Sequence, residues 1–184
     1  MIDIHRKLKW TKKYSQQDWI YRTNSDNSAR FVLGIKGKYP LVCFGVNPST
    51  ACPEYPDQTL IRVEKYAYTH RFDSWIMLNV YPQREPDPKK IDPTVNDALH
   101  EENMAMIKNI ISRRGLNIWA AWGDVISNHK HLQYCLSDIH KAVFEYDCKW
   151  VALGTSQRNN PLHPLYRGKG FKLYTTPLTD LILL

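Results

Sequence analysis

Asn47, Asn79 and His163 are the residues of this chain whose types and positions point to chemistry. The run Leu41-Val42-Cys43-Phe44-Gly45-Val46-Asn47-Pro48-Ser49-Thr50 reads as a buried strand that stops at a glycine and then presents an amide, a stiff proline turn and two hydroxyls. In open α/β sheets, ligands bind at the carboxyl ends of parallel strands, so an amide held there is placed to act on one. A second such end follows at Asn79, closing the apolar run from Ser74, and a late His163-Pro164 pair completes the set. An amide oxygen can orient a water molecule, a planar amide can read a donor and acceptor edge, and an imidazole can give a hydrogen bond or a proton.

The elements that must position these groups are legible as hydrophobic periodicity. Residues 31–35 and 41–46, joined by the polar turn 36–40, read as a strand pair. Residues 58–70 carry Leu60, Val63 and Tyr66 or Ala67 at helical spacing, and 96–113 form a helix with Asp97 and Glu101 near its start and Arg113 and Arg114 at its end. Residues 117–123 and 149–154 are further core strands, 129–144 a third helix, and 171–174 a short final strand. Strands alternating with helices predict an α/β fold: a three-layer sandwich with a central, mostly parallel sheet flanked by helices.

At 184 residues the whole chain, 1–184, is expected to form a single domain. Residues 1–30 form a basic, aromatic-rich segment packed on or beside it. Its interleaved Lys, Arg, Trp and Tyr residues admit two readings, a grip on phosphates and bases or a cover that packs its aromatics on the core. No apolar run reaches the roughly 18 residues of a membrane span, and the first residues lack a signal-peptide core, so a cytoplasmic protein without membrane contact is expected. The 25 Lys and Arg residues against 18 Asp and Glu give a net charge of +7, a modest push toward a polyanionic partner. Cys43, Cys52, Cys135 and Cys148 have no paired spacing, and His129 and His131 do not share a helix face, so no metal and no other cofactor is expected.

Taken in order, Gly45-Val46-Asn47-Pro48-Ser49, then Asn79 with Arg84-Glu85-Pro86, then His163-Pro164-Leu165-Tyr166 resemble the motifs of the uracil-DNA glycosylase superfamily. From about Tyr21 to Leu178 the chain looks still more like a bacterial family, domain of unknown function 1643, with Asn47-Pro48-Ser49-Thr50-Ala51 early and His163-Pro164-Leu165-Tyr166 late. The glycosylase resemblance implies a uracil-DNA glycosylase-like fold and a DNA partner, with no obligatory protein partner. It also implies an enzyme that flips out and excises a modified or damaged base, expected to be a pyrimidine and extending to a hypermodified phage cytosine, in base-excision repair or phage defence.

By that resemblance Asn47 and His163 are catalytic, the first orienting water and the second supporting the departing base. Gly45, Val46, Pro48, Ser49 and Asn79 hold the base, and Tyr55 is the candidate to stack on it. Thr50, Arg62, Arg84, Leu165, Tyr166, Arg167 and Lys169 are the candidate DNA contacts, with Leu165 standing where the superfamily has a serine. Two other functions use the same residues: a non-catalytic nucleic-acid-binding module, and a hydrolase of free nucleosides or nucleotides. Each residue also has a plain local reading: Asn47-Pro48 as a turn, Asn79 as a loop cap, His163 as a partner for nearby backbone.

Overall fold

The computed structural model describes residues 8–166 and 174–175. Their frame is a seven-stranded mixed sheet in the order β1-β2-β4-β3-β5-β6-β7. The strands are β1 (Trp19–Thr23), β2 (Arg30–Ile35), β3 (Pro40–Gly45), β4 (Ser74–Asn79), β5 (Asn117–Ala120), β6 (Lys149–Ala152) and β7 (Tyr174–Thr175). The four central strands β4, β3, β5 and β6 run parallel, while β1, β2 and β7 join antiparallel at the margins.

Three helices complete the layers: α1 (Gln58–Thr69), α2 (Asp97–Ile111) and α3 (Lys130–Glu145). Their starts follow from capping chemistry. The Asp57 carboxylate accepts the Leu60 N–H at 2.8 Å, and the Asn96 amide oxygen accepts that of Leu99 at 3.1 Å, satisfying donors that a helix cannot satisfy itself.

The period-two alternation of β3 sets the two cores. Leu41 and Cys43 face α1 with Trp75, Met77 and Trp119, while Val42 and Phe44 join Ile76, Leu78 and Trp150 against α2 and α3. The chain leaves β3 through α1 to β4 on one side, then crosses through α2 to β5 on the other side of β3. The carboxyl ends of β3 and β5 therefore flank the point where the winding reverses, the favoured place for a ligand in such a sheet.

The α/β architecture with a mostly parallel sheet is as expected, with two corrections in its wiring. β2 and β3 are not a pair, because β4 lies between them, parallel to β3 and antiparallel to β2. A parallel β3-β4 unit with α1 as its crossover needs β4 beside β3, and β2 then takes β4's other edge. The second correction is β1, which forms from the basic aromatic segment and pairs antiparallel with β2.

That segment covers the core along its described length. The Trp10 ring stacks on Trp75 at 5.2 Å and its indole N–H donates to the Pro53 carbonyl at 2.7 Å. The buried Glu64 of α1 accepts hydrogen bonds from the Thr11 N–H at 2.8 Å and the Tyr14 hydroxyl at 2.6 Å. Burial and the Glu64 bond together hold the Tyr14 hydroxyl well above its ordinary range, so it stays a donor.

Candidate functional site

A cavity of about 160 Å³ opens at the carboxyl ends of the parallel strands. Gly45, Val46, Asn47 and Ser49 line it from the end of β3, Asn79 from the end of β4, Trp122 from beyond β5, and His163 from the loop after β6. Arg30, Asp57 and Glu85 also line it. Drug-sized ligands occupy pockets of about 300–1,000 Å³, so this hollow suits a single small ring.

Asn79 is 0% exposed, and neither its Nδ2 nor its Oδ1 has a hydrogen-bond partner. Such an amide costs about 1–3 kcal/mol of desolvation for each unsatisfied group, so its presence at a cavity wall points to a ligand that completes it. Its backbone is held firmly. The Asn103 amide of α2 donates to the Asn79 carbonyl at 3.1 Å and to that of Val80 at 3.3 Å. Gly45 keeps the space beside it open, since a Cβ there would stand 3.3 Å from Asn79 Oδ1 and 2.7 Å from Met77 Cε.

The orientation of the Asn47 amide is fixed by what surrounds it. Its Nδ2 donates to the carbonyls of Glu85 at 2.8 Å, Pro48 at 3.1 Å and Gln83 at 3.4 Å, so the nitrogen must lie on that side and Oδ1 on the other. Among the described residues no donor reaches that oxygen. The amide thus does two things: it ties the 83–85 loop to the end of β3 and keeps one acceptor for the cavity.

His163 sits between this cavity and a wider groove of about 690 Å³ lined by Gly123, Arg158, Leu165 and Tyr166, among others. Its Nδ1 accepts the Leu165 N–H at 3.3 Å, which puts the proton of the neutral ring on Nε2. Burial lowers its pKa below the ordinary histidine value, with Asp57 opposing that shift, so the neutral ring is the prevailing form at neutral pH. The loop carrying it is anchored by Asp124, which accepts from the Ser156 hydroxyl at 2.6 Å and the Asn160 amide at 2.9 Å. Those bonds hold the Asp124 carboxyl below its ordinary range. Gly123, at φ +64°, donates to the Pro161 carbonyl at 3.0 Å, and a Cβ there would press on His163 Cβ at 3.3 Å.

Other residues expected at the site fall elsewhere. Tyr55 does not line the cavity; it is 61% exposed, in a turn closed by reciprocal backbone bonds between Cys52 and Tyr55 at 3.1 Å. The aromatic wall is supplied instead by Trp122, 2% exposed and packed edge-on against Trp150. β5 ends at Ala120, short of the expected Gly123, and this releases Trp122 to the cavity. Pro48 is buried and lies outside the lining, with its carbonyl accepting from Asn47 and from the Glu85 N–H. Thr50 is exposed, and Arg62 lines a separate hollow on α1.

The Arg84 guanidinium is folded inward, donating to the Ser49 carbonyl at 2.6 Å and the Tyr21 hydroxyl at 2.7 Å, which makes it a clamp on the Asn47 loop. Leu165 and Tyr166 are 39% and 52% exposed on the groove, and Arg167 and Lys169 lie outside the described residues. Among the described residues no group of His, Cys, Asp or Glu could hold a metal ion, and no helix is long and apolar enough to cross a membrane.

The fold and the cavity define a doubly wound α/β protein with a small polar pocket at its topological switch point. The chain belongs to the family described as Protein of unknown function (DUF1643), whose model matches residues 30–165 and so takes in every described residue of the cavity wall. Neither a curated protein nor a solved structure matches it.

Proposed function

We propose that this protein is a DNA glycosylase that draws a modified or damaged base, a pyrimidine by our reading, into the cavity and hydrolyses its N-glycosidic bond. The observation that carries the reading is the Asn79 amide, fully buried at the cavity wall with both polar atoms unpartnered. A planar donor and acceptor pair matches the Watson-Crick edge of an extruded base, and the Trp122 ring offers it an apolar wall.

Breaking the bond from C1′ to the base nitrogen leaves its electron pair on the base and positive charge on the sugar. His163 Nε2–H is the donor that meets the first, and a water oriented by Asn47 Oδ1 meets the second. An amide cannot take the proton that water loses, but Asp57 and Glu85 line the same cavity and can. Leu165 and Tyr166 on the adjoining groove are the side chains to fill the gap that the extruded base leaves, offsetting part of a flipping cost of a few kcal/mol.

The test is incubation with duplexes carrying a broad panel of altered bases, hypermodified cytosines included, followed by cleavage at abasic sites. Asn79→Ala, His163→Ala and Gly45→Ala are expected to lose cleavage, the last because its added Cβ stands 3.3 Å from Asn79 Oδ1 and displaces the end of Met77 at 2.7 Å. Absence of cleavage across the whole panel by the wild type overturns the proposal.

A further inference from the structure

Arg30 is a fixed cation at the cavity wall that the reading above leaves unused. It is the first residue of β2, 2% exposed, and lines the same hollow as Asn79 and His163. Of its donors, Nη1 reaches the Ala51 carbonyl at 2.9 Å, while Nε is buried without a partner and Nη2 bonds no described residue. No carboxylate among the described residues lies within ion-pair distance, and Asp57, the acidic neighbour of the cavity, spends Oδ1 on the α1 cap. Burial pulls the guanidinium down to about 10, helped by Arg84 and opposed by Asp57, which still leaves it charged at neutral pH.

A buried cation without an anion is expensive unless an anion arrives. Arg84 already clamps the Ser49 and Ala51 carbonyls at 2.6 and 3.3 Å, so loop anchoring alone does not account for a second guanidinium.

We propose that Arg30 is the anion-binding residue of the base pocket, holding the negative charge that the base acquires as its bond to the sugar breaks. This rests on the base-pocket reading and adds to it a preference for bases that leave as anions. The pair from the broken bond stays on the base, water forms the new bond to C1′, and the proton water releases neutralises the base afterwards. His163, neutral, supplies a directed hydrogen bond; Arg30 supplies the charge that a neutral imidazole lacks.

The test is calorimetric binding of two free bases at neutral pH: uracil, which is neutral there, and 5-nitrouracil, whose ring is ionised. The wild type is expected to bind the anion at least about tenfold more tightly, the usual yield of a charge-assisted hydrogen bond. Arg30→Met is expected to erase that preference, with the loss of affinity falling more heavily on 5-nitrouracil than on uracil. Arg30→Lys, which keeps the charge and loses the fork, is expected to retain part of the preference and guards against a misfolded methionine variant.

Equal binding of the two bases by the wild type, or a preference that survives Arg30→Met, overturns the proposal while leaving the pocket standing. So does an equal loss for both bases in either variant, which would make Arg30 a loop tie. Failure of the wild type to bind either base overturns the base-pocket reading itself, and this inference with it.

Discussion

Replacing Asn79 with leucine is expected to make the protein more stable and unable to hold a base. The two side chains have the same number of heavy atoms and branch at the same carbon, leucine's methyls being the bulkier, and the wild-type amide has Nδ2 and Oδ1 buried with no partner. An unsatisfied buried group costs about 1–3 kcal/mol, and the two together set an upper bound of several. The cavity has a mouth, so solvent reaches part of the amide's surroundings, and leucine's branched tip must find room beside Gly45. The net gain is therefore placed near the lower end, at about 1 kcal/mol, or about 2–4 °C in melting temperature for a chain of this size. Urea and thermal unfolding followed by tryptophan fluorescence read this directly.

A saturating base, at about 100 times its Kd, should stabilise the wild type by about 2.7 kcal/mol and leave Asn79→Leu unmoved. A leucine variant destabilised by more than about 3 kcal/mol, beyond what overpacking by its methyls costs, would refute the reasoning, because the amide would then have been satisfied in the free protein. A variant that still gains stability from the base would refute the role of Asn79 in reading it.

Two further outcomes follow from the site's hydrogen bonds and histidines. Asn47→Asp turns a donor facing three carbonyls into a carboxylate facing them, which raises that carboxyl's folded pKa; relative to Asn47→Ala it should be less stable at about pH 7 and recover as pH falls toward about 5, checked by paired urea midpoints. Burial lowers the pKa of His131, His140 and His163 below 6.5, so the unfolded chain takes up protons that the folded one refuses. The stability from keeping them neutral is full above about 6.5 and is lost as pH falls through the folded values; a histidine NMR titration with His163 midpoint above 6.5 would contradict it.

The helices and strand ends were readable because they depend on local chemistry. Asp57 and Asn96 are short polar residues that stand directly before periodic apolar runs and cap them, and the alternation of β3 is visible in Leu41 to Phe44. Asn47, Asn79 and His163 line one cavity because Asn79 ends a parallel strand and the other two lie in loops that leave the carboxyl ends of such strands, a position that alternating strands and helices reveal. The missed features depend on partners distant in sequence. Arg30 looks like an ordinary strand boundary until Ala51 and the cavity surround it, and Trp122 looks like core because the strand's stop at Ala120 has no local signal. Tyr55 was expected inside on the strength of its ring, whereas the Cys52 turn leaves it exposed. Glu64 reads as one more helical charge, and its burial is explained by the N-terminal segment laid over it, through the Thr11 and Lys12 N–H groups and the Tyr14 hydroxyl.

The place of β4 between β2 and β3 also sets a timetable for assembly. Two segments adjacent in the chain, β2 and β3, must remain apart until a strand some thirty residues downstream slides into the gap, so the local β1-β2 hairpin can form early but no β2-β3 hairpin can extend it. Arg30, Gly45 and Asn79 belong to those three strands, and they become neighbours only when the insertion is complete. Nascent chains released before residue 79 would therefore carry Arg30 and Gly45 without the strand that brings them together.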